Sequence, residues 1–156
     1  MTHASAPDAF DLDRFLEAQA GSYGEAVTEL HSGRKRSHWM WFVFPQFDGL
    51  GASAMSRRYA IRSLAEALEY LRHPVLGARL ARCTNIVNGL QGLSALQIFG
   101  TPDDMKFRSS MTLFELVAGP QSPFASALDR YFSGERDGRT LDLARLAARK
   151  TGTGDE

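Results

Sequence analysis

The stretch Gly33–Phe47, GRKRSHWMWFVFPQF, runs three cations and a histidine straight into six apolar residues, Trp39 to Phe44. Its reading decides the fold. As a helix, it starts at a Ser37 cap and runs through Phe44, with Pro45 as the stop. As a strand, Trp39–Phe44 is a short buried run, and hydrophobic periodicity alone does not separate the two. The rest of the chain tips the balance.

Upstream, Leu12, Phe15, Leu16, Tyr23, Val27 and Leu30 recur at helical spacing up to Gly33. Downstream, DGLGASAMS is a loop that leads into a helical turn near Met55–Ile61. Ser63 and Glu66 have capping-box spacing ahead of Leu64, Leu68 and Leu71. His73-Pro74 breaks that helix and starts another, which carries Leu76, Leu80, Cys83 and Val87. Ser94–Phe99 is one or two turns closed by Gly100. Thr101-Pro102-Asp103-Asp104 reads as a cap, a proline at the first position and acids in the first turn. Ser122-Pro123 repeats the device for a helix to Phe132, and Thr140 caps a last helix through Leu146. Alternating strand pairs, hairpin dipeptides and repeats are absent from the sequence. The expected fold is all-α: a single compact multihelical domain of about seven to nine helices over residues 10–147. A disordered segment, 1–9, and a flexible tail, 148–156, are expected to flank it.

Composition narrows the function classes. A chain of 156 residues buries about 70 % of its unfolded surface, enough for a core without staples. Eighteen cations balance eighteen anions, so there is no net field for nucleic acid or a membrane surface. The longest apolar run, Trp39–Phe44, is far below the ~20 residues of a membrane span. Cys83 is the one cysteine, and the N-terminus lacks signal-peptide character, so the expected location is cytoplasmic. His3, His31, His38 and His73 show no metal-ligand spacing, and no glycine-rich phosphate loop occurs. No metal, cofactor or nucleic-acid partner is expected.

Two motifs carry chemistry. In the first, Arg34, Lys35 and Arg36 crowd the expected helix start at Ser37, with His38 next. A helix N-terminus is already positive, so cations there call for an anion, and a phosphate or carboxylate would satisfy both. Trp39 and Trp41 lie about 200° apart on a helix. One indole is thus core, and the other can form the wall of a site for a planar group. The cations also read simply as gatekeepers beside an apolar run.

In the second motif, Asp103–Phe114, Lys106 lies three and four residues before Ser109 and Ser110, within reach of either hydroxyl on a helix. A lysine-activated serine is one reading, although the usual Ser-x-x-Lys order is missing. An Asp103–Lys106 surface pair is the plain one. If any reaction occurs, His38 is the best proton carrier, because its ordinary pKa lies near neutrality.

Four strings resemble one family: DLDRFLEAQ (11–19), LHSGRKRSHWMWFVFPQFDGLG (30–51), RYAIRSLAEALEYLRHPVLGARL (58–80) and IFGTPDDMKFRSSMTLF (98–114). The chain resembles the domains of unknown function called DUF1810 over about residues 10–146. The K-R-S-H-W-M-W-F-x-F-P-Q string is the most specific part. The resemblance implies a multihelical domain and moves residues 39–44 toward helix. It implies no reaction. Some family members carry a calpastatin label, which fits a long, disordered, repetitive inhibitor and not this chain. Positions matching the family pattern are Lys35, Ser37, His38, Trp39, Trp41, Phe44, Pro45, Gln46, Tyr59, Asp104, Lys106, Ser109 and Ser110.

The expected site is a polar-rimmed aromatic pocket between the two motifs, taking a small anionic or planar ligand. Lys35, Arg36, Ser37, His38, Gln46, Tyr59, Asp104, Lys106 and Ser110 form its polar side, and Trp39 or Trp41 its wall. The rival reading is a non-catalytic protein–protein interaction module, with the tryptophans, Phe44 and Phe47 as an exposed patch.

Overall fold

The apolar run that opened the question forms a single helical turn, not a strand. In the computed structural model, which describes residues 8–152, it is Met40–Val43, α3 in chain order. It follows α1 (Asp13–Ala20) and α2 (Tyr23–His31). After it come α4 (Ala54–Arg58), α5 (Leu64–Arg72), α6 (Leu76–Gly89), α7 (Ala95–Phe99), α8 (Asp103–Ala118), α9 (Pro123–Phe132) and α10 (Gly138–Gly152). The fold is all-α and single-domain. The ten helices among the described residues exceed the expected seven to nine, because the segment read as one helix up to Gly33 is two. The apolar phase carries across Gly21–Ser22, but the chain turns there. Residues 1–7 and 153–156, parts of the expected flanking segments, lie outside the described residues; α10 itself continues to Gly152.

The core is aromatic and centres on α8, which packs against α5, α7, α9 and α10. Phe107 stacks on Phe99 at 4.6 Å and meets Phe44 edge-on at 5.0 Å. Phe44 and Phe107 are fully buried, each worth about 2–3 kcal/mol relative to exposure. Through Phe44 the short α3 is bound to the long α8. The other side of α3 is held by Gln19, whose amide donates to the Phe42 carbonyl at 2.7 Å. Directly after Pro45 the chain makes an isolated parallel bridge, Phe47 with Ile61, which lays the loop before α4 along the start of α5.

Several helix starts differ from their sequence reading. Ser37 does not cap α3; the position before it is Trp39, with no side-chain cap. Ser63 caps α5 by accepting from the Glu66 amide at 3.0 Å, but Glu66 turns to other donors and does not close the box. The closed capping box is at Ser94 and Gln97. α8 begins at Asp103, with Pro102 before it and no side-chain cap from Thr101. α10 is started by Asp137, whose carboxylate accepts from the Thr140 amide at 3.2 Å, so Thr140 is the capped residue and not the cap. His73 Nδ1 accepts from the Val75 and Leu76 amides at 3.1 and 3.2 Å and so starts α6. The α5–α6 corner demands glycine: a Cβ on Gly77 would meet the Leu71 carbonyl oxygen at 2.0 Å. Ser122 with Pro123 starts α9 as read, accepting from the Ala125 amide at 3.2 Å.

Candidate functional site

The cations of Arg34–Arg36 precede α3 by at least four residues, so they do not sit at a helix N-terminus. The backbone that carries them is organised by an anion from the chain itself. Glu29, in the last turn of α2, lies on the buried stripe of Ala26 and Leu30. Its Oε1 accepts from the Arg36 amide at 2.7 Å, the Ser37 amide at 2.9 Å and the Trp39 indole at 2.9 Å. Its Oε2 accepts from Ser37 Oγ at 2.5 Å. Burial alone would raise the Glu29 pKa. The bonds from Ser37 Oγ, the two amides and the indole outweigh it and hold the carboxyl at about 2. Glu29 therefore anchors the backbone of the cationic turn through Ser37 and the Arg36 amide, whereas the ion partner of Lys35 is Asp103.

Lys35 turns the other way. Its ammonium donates to the Ser37 carbonyl at 2.5 Å and pairs with Asp103 Oδ2 at 2.8 Å. It lies 5.1 Å from the centroid of Trp39, whose side chain is wholly buried. Lys106 reaches the same carboxylate from α8, at 3.5 Å from Asp103 Oδ1, and lies 5.3 Å from the centroid of the half-buried Trp41. Two lysines from the two sequence motifs thus share one carboxylate, each over an indole face. Asp103 is more than the partner in a surface pair: it joins the loop before α3 to the first turn of α8. Lys35 spends its donors inside this arrangement, with 8 % of its side chain exposed against 25 % for Lys106.

Two hollows flank the centre. One, of about 480 Å³, is lined by Arg34 and Lys35 together with Leu96–Gly100 of α7 and its end. The other, of only about 10 Å³, is lined by Trp41, Gln46, Phe47, Gly49, Ser56 and Tyr59, among others. Three of the sequence-selected residues, Trp41, Gln46 and Tyr59, meet there. That volume is near the lower limit for one water molecule, so the cleft admits no more than a single polar group.

The remaining candidates fall elsewhere. His38 is exposed to solvent, as is the side chain of Arg36. Asp104 is half-buried, and its Oδ1 has no partner among the described residues. Ser109 Oγ has two acceptors within reach of its one proton, Met105 O at 3.1 Å and Asp137 Oδ2 at 3.0 Å, and the second links α8 to the start of α10. Ser110 is fully buried with no partner for Oγ among the described residues. No hydrogen bond joins Lys106 to either serine among the described residues, so a lysine-activated serine is not assembled. Burial pushes the Cys83 thiol up to about 12, which leaves it unreactive near neutrality. Trp39, Phe44 and Phe47 are buried, so they do not form the exposed patch that the docking-module reading requires.

Sequence reasoning missed Glu29. The available signal was an acid at the position three after Ala26 and one before Leu30, on an apolar stripe where a carboxylate needs donors.

Comparison with known proteins adds the family. The family described as "Protein of unknown function (DUF1810)" matches residues 9–144. The crystal structure of the conserved hypothetical protein Rv1873 from Mycobacterium tuberculosis superposes with a TM-score of 0.87 at 52 % identity. The match covers 88 % of this chain and 99 % of that one. No curated protein matches. Among the described residues no helix is long and apolar enough to cross a membrane. With most of its length matched and half its residues shared with a solved relative, the chain belongs to the DUF1810 family.

Proposed function

We infer that this protein binds a small ligand that has an anionic group and a planar part. The anionic group meets Lys106 and the planar part lies on Trp41. The observation that carries the reading is the convergence of two lysine ammoniums, from segments 71 residues apart in sequence, on the single carboxylate of Asp103. Two cations against one anion leave positive charge in surplus. Lys35 is consumed by Ser37 and Asp103, so the surplus sits at Lys106, whose contact to Asp103 is long at 3.5 Å. A carboxylate or phosphate supplies the missing partner through charge-assisted hydrogen bonds.

Trp41 beside Lys106 offers a π face, and Gln46 in the adjoining narrow cleft presents an amide with no side-chain partner among the described residues. Tyr59 also lines that cleft. The buried free thiol of Cys83 is compatible with a reducing compartment, and we place this binding in the cytoplasm. The geometry supports binding; among the described residues Lys106 makes no hydrogen bond to Ser109 or Ser110.

Thermal unfolding with phenyl phosphate and with benzoate tests the reading. At a hundred times its dissociation constant, a bound probe adds about 2.7 kcal/mol of stability. That gain is expected in the wild type and absent in Lys106→Gln. A shift of equal size in both proteins, or none in the wild type with either probe, contradicts it.

A further inference from the structure

A third hollow lies away from Lys106, where the chain enters α1 and leaves α4. It has a volume of about 450 Å³ and is lined by Asp11, Arg14, Ala54, Arg57, Arg58 and Arg62. Four of its six residues are arginines in a protein of zero net charge. They play two different parts. Arg14, 6 % exposed, is committed: it donates to the carbonyls of Phe10, Asp11, Arg58 and Ala60 and to Glu66. Its charge is matched by Glu66 at 2.8 Å. It fixes the floor and holds the 58–60 backbone against α1.

The other three are exposed and largely uncommitted. Arg57 makes no side-chain hydrogen bond among the described residues. Arg58 donates to the Tyr59 hydroxyl at 3.3 Å, and Arg62 to the Arg57 carbonyl at 3.4 Å, both long contacts. A guanidinium offers five donors in a fixed fork, so most of the donors at the rim face solvent. The acids that act on Arg58 are Asp11 in the hollow and Glu17 on α1. Asp11 sits at φ 53, in the left-handed region, with its carbonyl accepting from Arg14 Nη1 at 2.8 Å. Strained backbone of this kind concentrates at binding sites.

We propose that this hollow binds a small phosphomonoester dianion through Arg57, Arg58 and Arg62, with Asp11 as the competing internal anion. Guanidinium forks match phosphate oxygens in charge and geometry, better than they match a single carboxylate. The hollow has the size of a small-ligand site. Neither Lys106 nor Trp41 lines it, so the proposal stands apart from the reading above.

The experiment is calorimetric titration of the full chain with glycerol 3-phosphate, with glycerol as the control. The wild type is expected to bind saturably at millimolar concentration or below. The double variant Arg57→Gln/Arg62→Gln is expected to bind at least about tenfold more weakly, with its urea midpoint unchanged because both side chains are exposed. Asp11→Asn, which tolerates the left-handed backbone, is expected to bind more tightly. Lys106→Gln is expected to bind as the wild type does. Absence of saturable binding to the wild type overturns the proposal. So does equal affinity in the double variant, or loss of binding in Lys106→Gln.

Discussion

Glu29→Ala is expected to cost about 4 kcal/mol of stability, because it leaves the Arg36 and Ser37 amides and the Trp39 indole without their acceptor in a buried place. Glu29→Gln separates charge from shape. The amide oxygen can keep the three bonds made by Oε1, and Ser37 Oγ can turn to accept from the new amine. What is lost is the charge. The drop in the Glu29 pKa from 4.5 to about 2 corresponds to about 3 kcal/mol at neutral pH.

The folded pKa is the lower one, so this contribution is complete above about pH 5 and fades as the pH falls from 4.5 toward 2. Urea unfolding should therefore show the gap between wild type and Glu29→Gln narrowing by about 2 kcal/mol between pH 7 and pH 3. A gap that does not change with pH rules out the ionised carboxylate as the anchor of the cationic turn. Glu29→Ala stays below Glu29→Gln at both pH values, since its loss is of shape as well as charge.

Arg14→Ala is expected to have a comparable effect, about 3–5 kcal/mol, because it strands the buried Glu66 carboxylate and removes the donor to four carbonyls. The guanidinium ties the entry of α1 to the Arg58–Ala60 backbone and to the first turn of α5, three places that no other described side chain joins. Lysine does not replace it: one ammonium cannot span acceptors arranged around a planar fork. Arg14→Lys should thus recover less than half of the loss in chemical denaturation. Full recovery would mean that the charge alone matters and that the carbonyl contacts contribute nothing.

These two anchors mark the boundary of what the chain discloses in one dimension. Helix starts that rest on local chemistry were readable: Ser122-Pro123 begins α9, and the acids at Asp103 and Asp104 begin α8. The turn at Gly21–Ser22 was missed, because Leu12, Phe15, Leu16, Tyr23, Val27 and Leu30 keep helical phase across it and outweighed the local signal of Gly21 after α1 and Ser22 before α2. At the site, the excess of positive charge around Lys35 was legible, and so was its need for an anion. Where that anion comes from was not. Periodicity puts Glu29 on the same stripe as Ala26 and Leu30 but says nothing of what the stripe faces, and the turn of Arg36 and Ser37 that meets it depends on the long-range bond from the Lys35 amide to Ile98. Likewise helical spacing puts Lys106 within reach of Asp103 and of Ser110; the structure makes the Asp103 pair one turn back on α8 and adds the Trp41 face from α3, which spacing does not show.

The central functional claim is that the ligand's anionic group meets Lys106 beside Trp41, and not Lys35, whose ammonium is taken up by Ser37 and Asp103. The chain has two tryptophans, so an amide-and-indole NMR spectrum carries two indole N–H signals. Trp39 is the indole bonded to Glu29, and Trp41→Phe assigns the other. On titration with phenyl phosphate, the Trp41 signal should move with saturation while the Trp39 signal stays in place. Movement of Trp39 with Trp41 unmoved, or two stationary signals up to the solubility limit of the probe, contradicts the account.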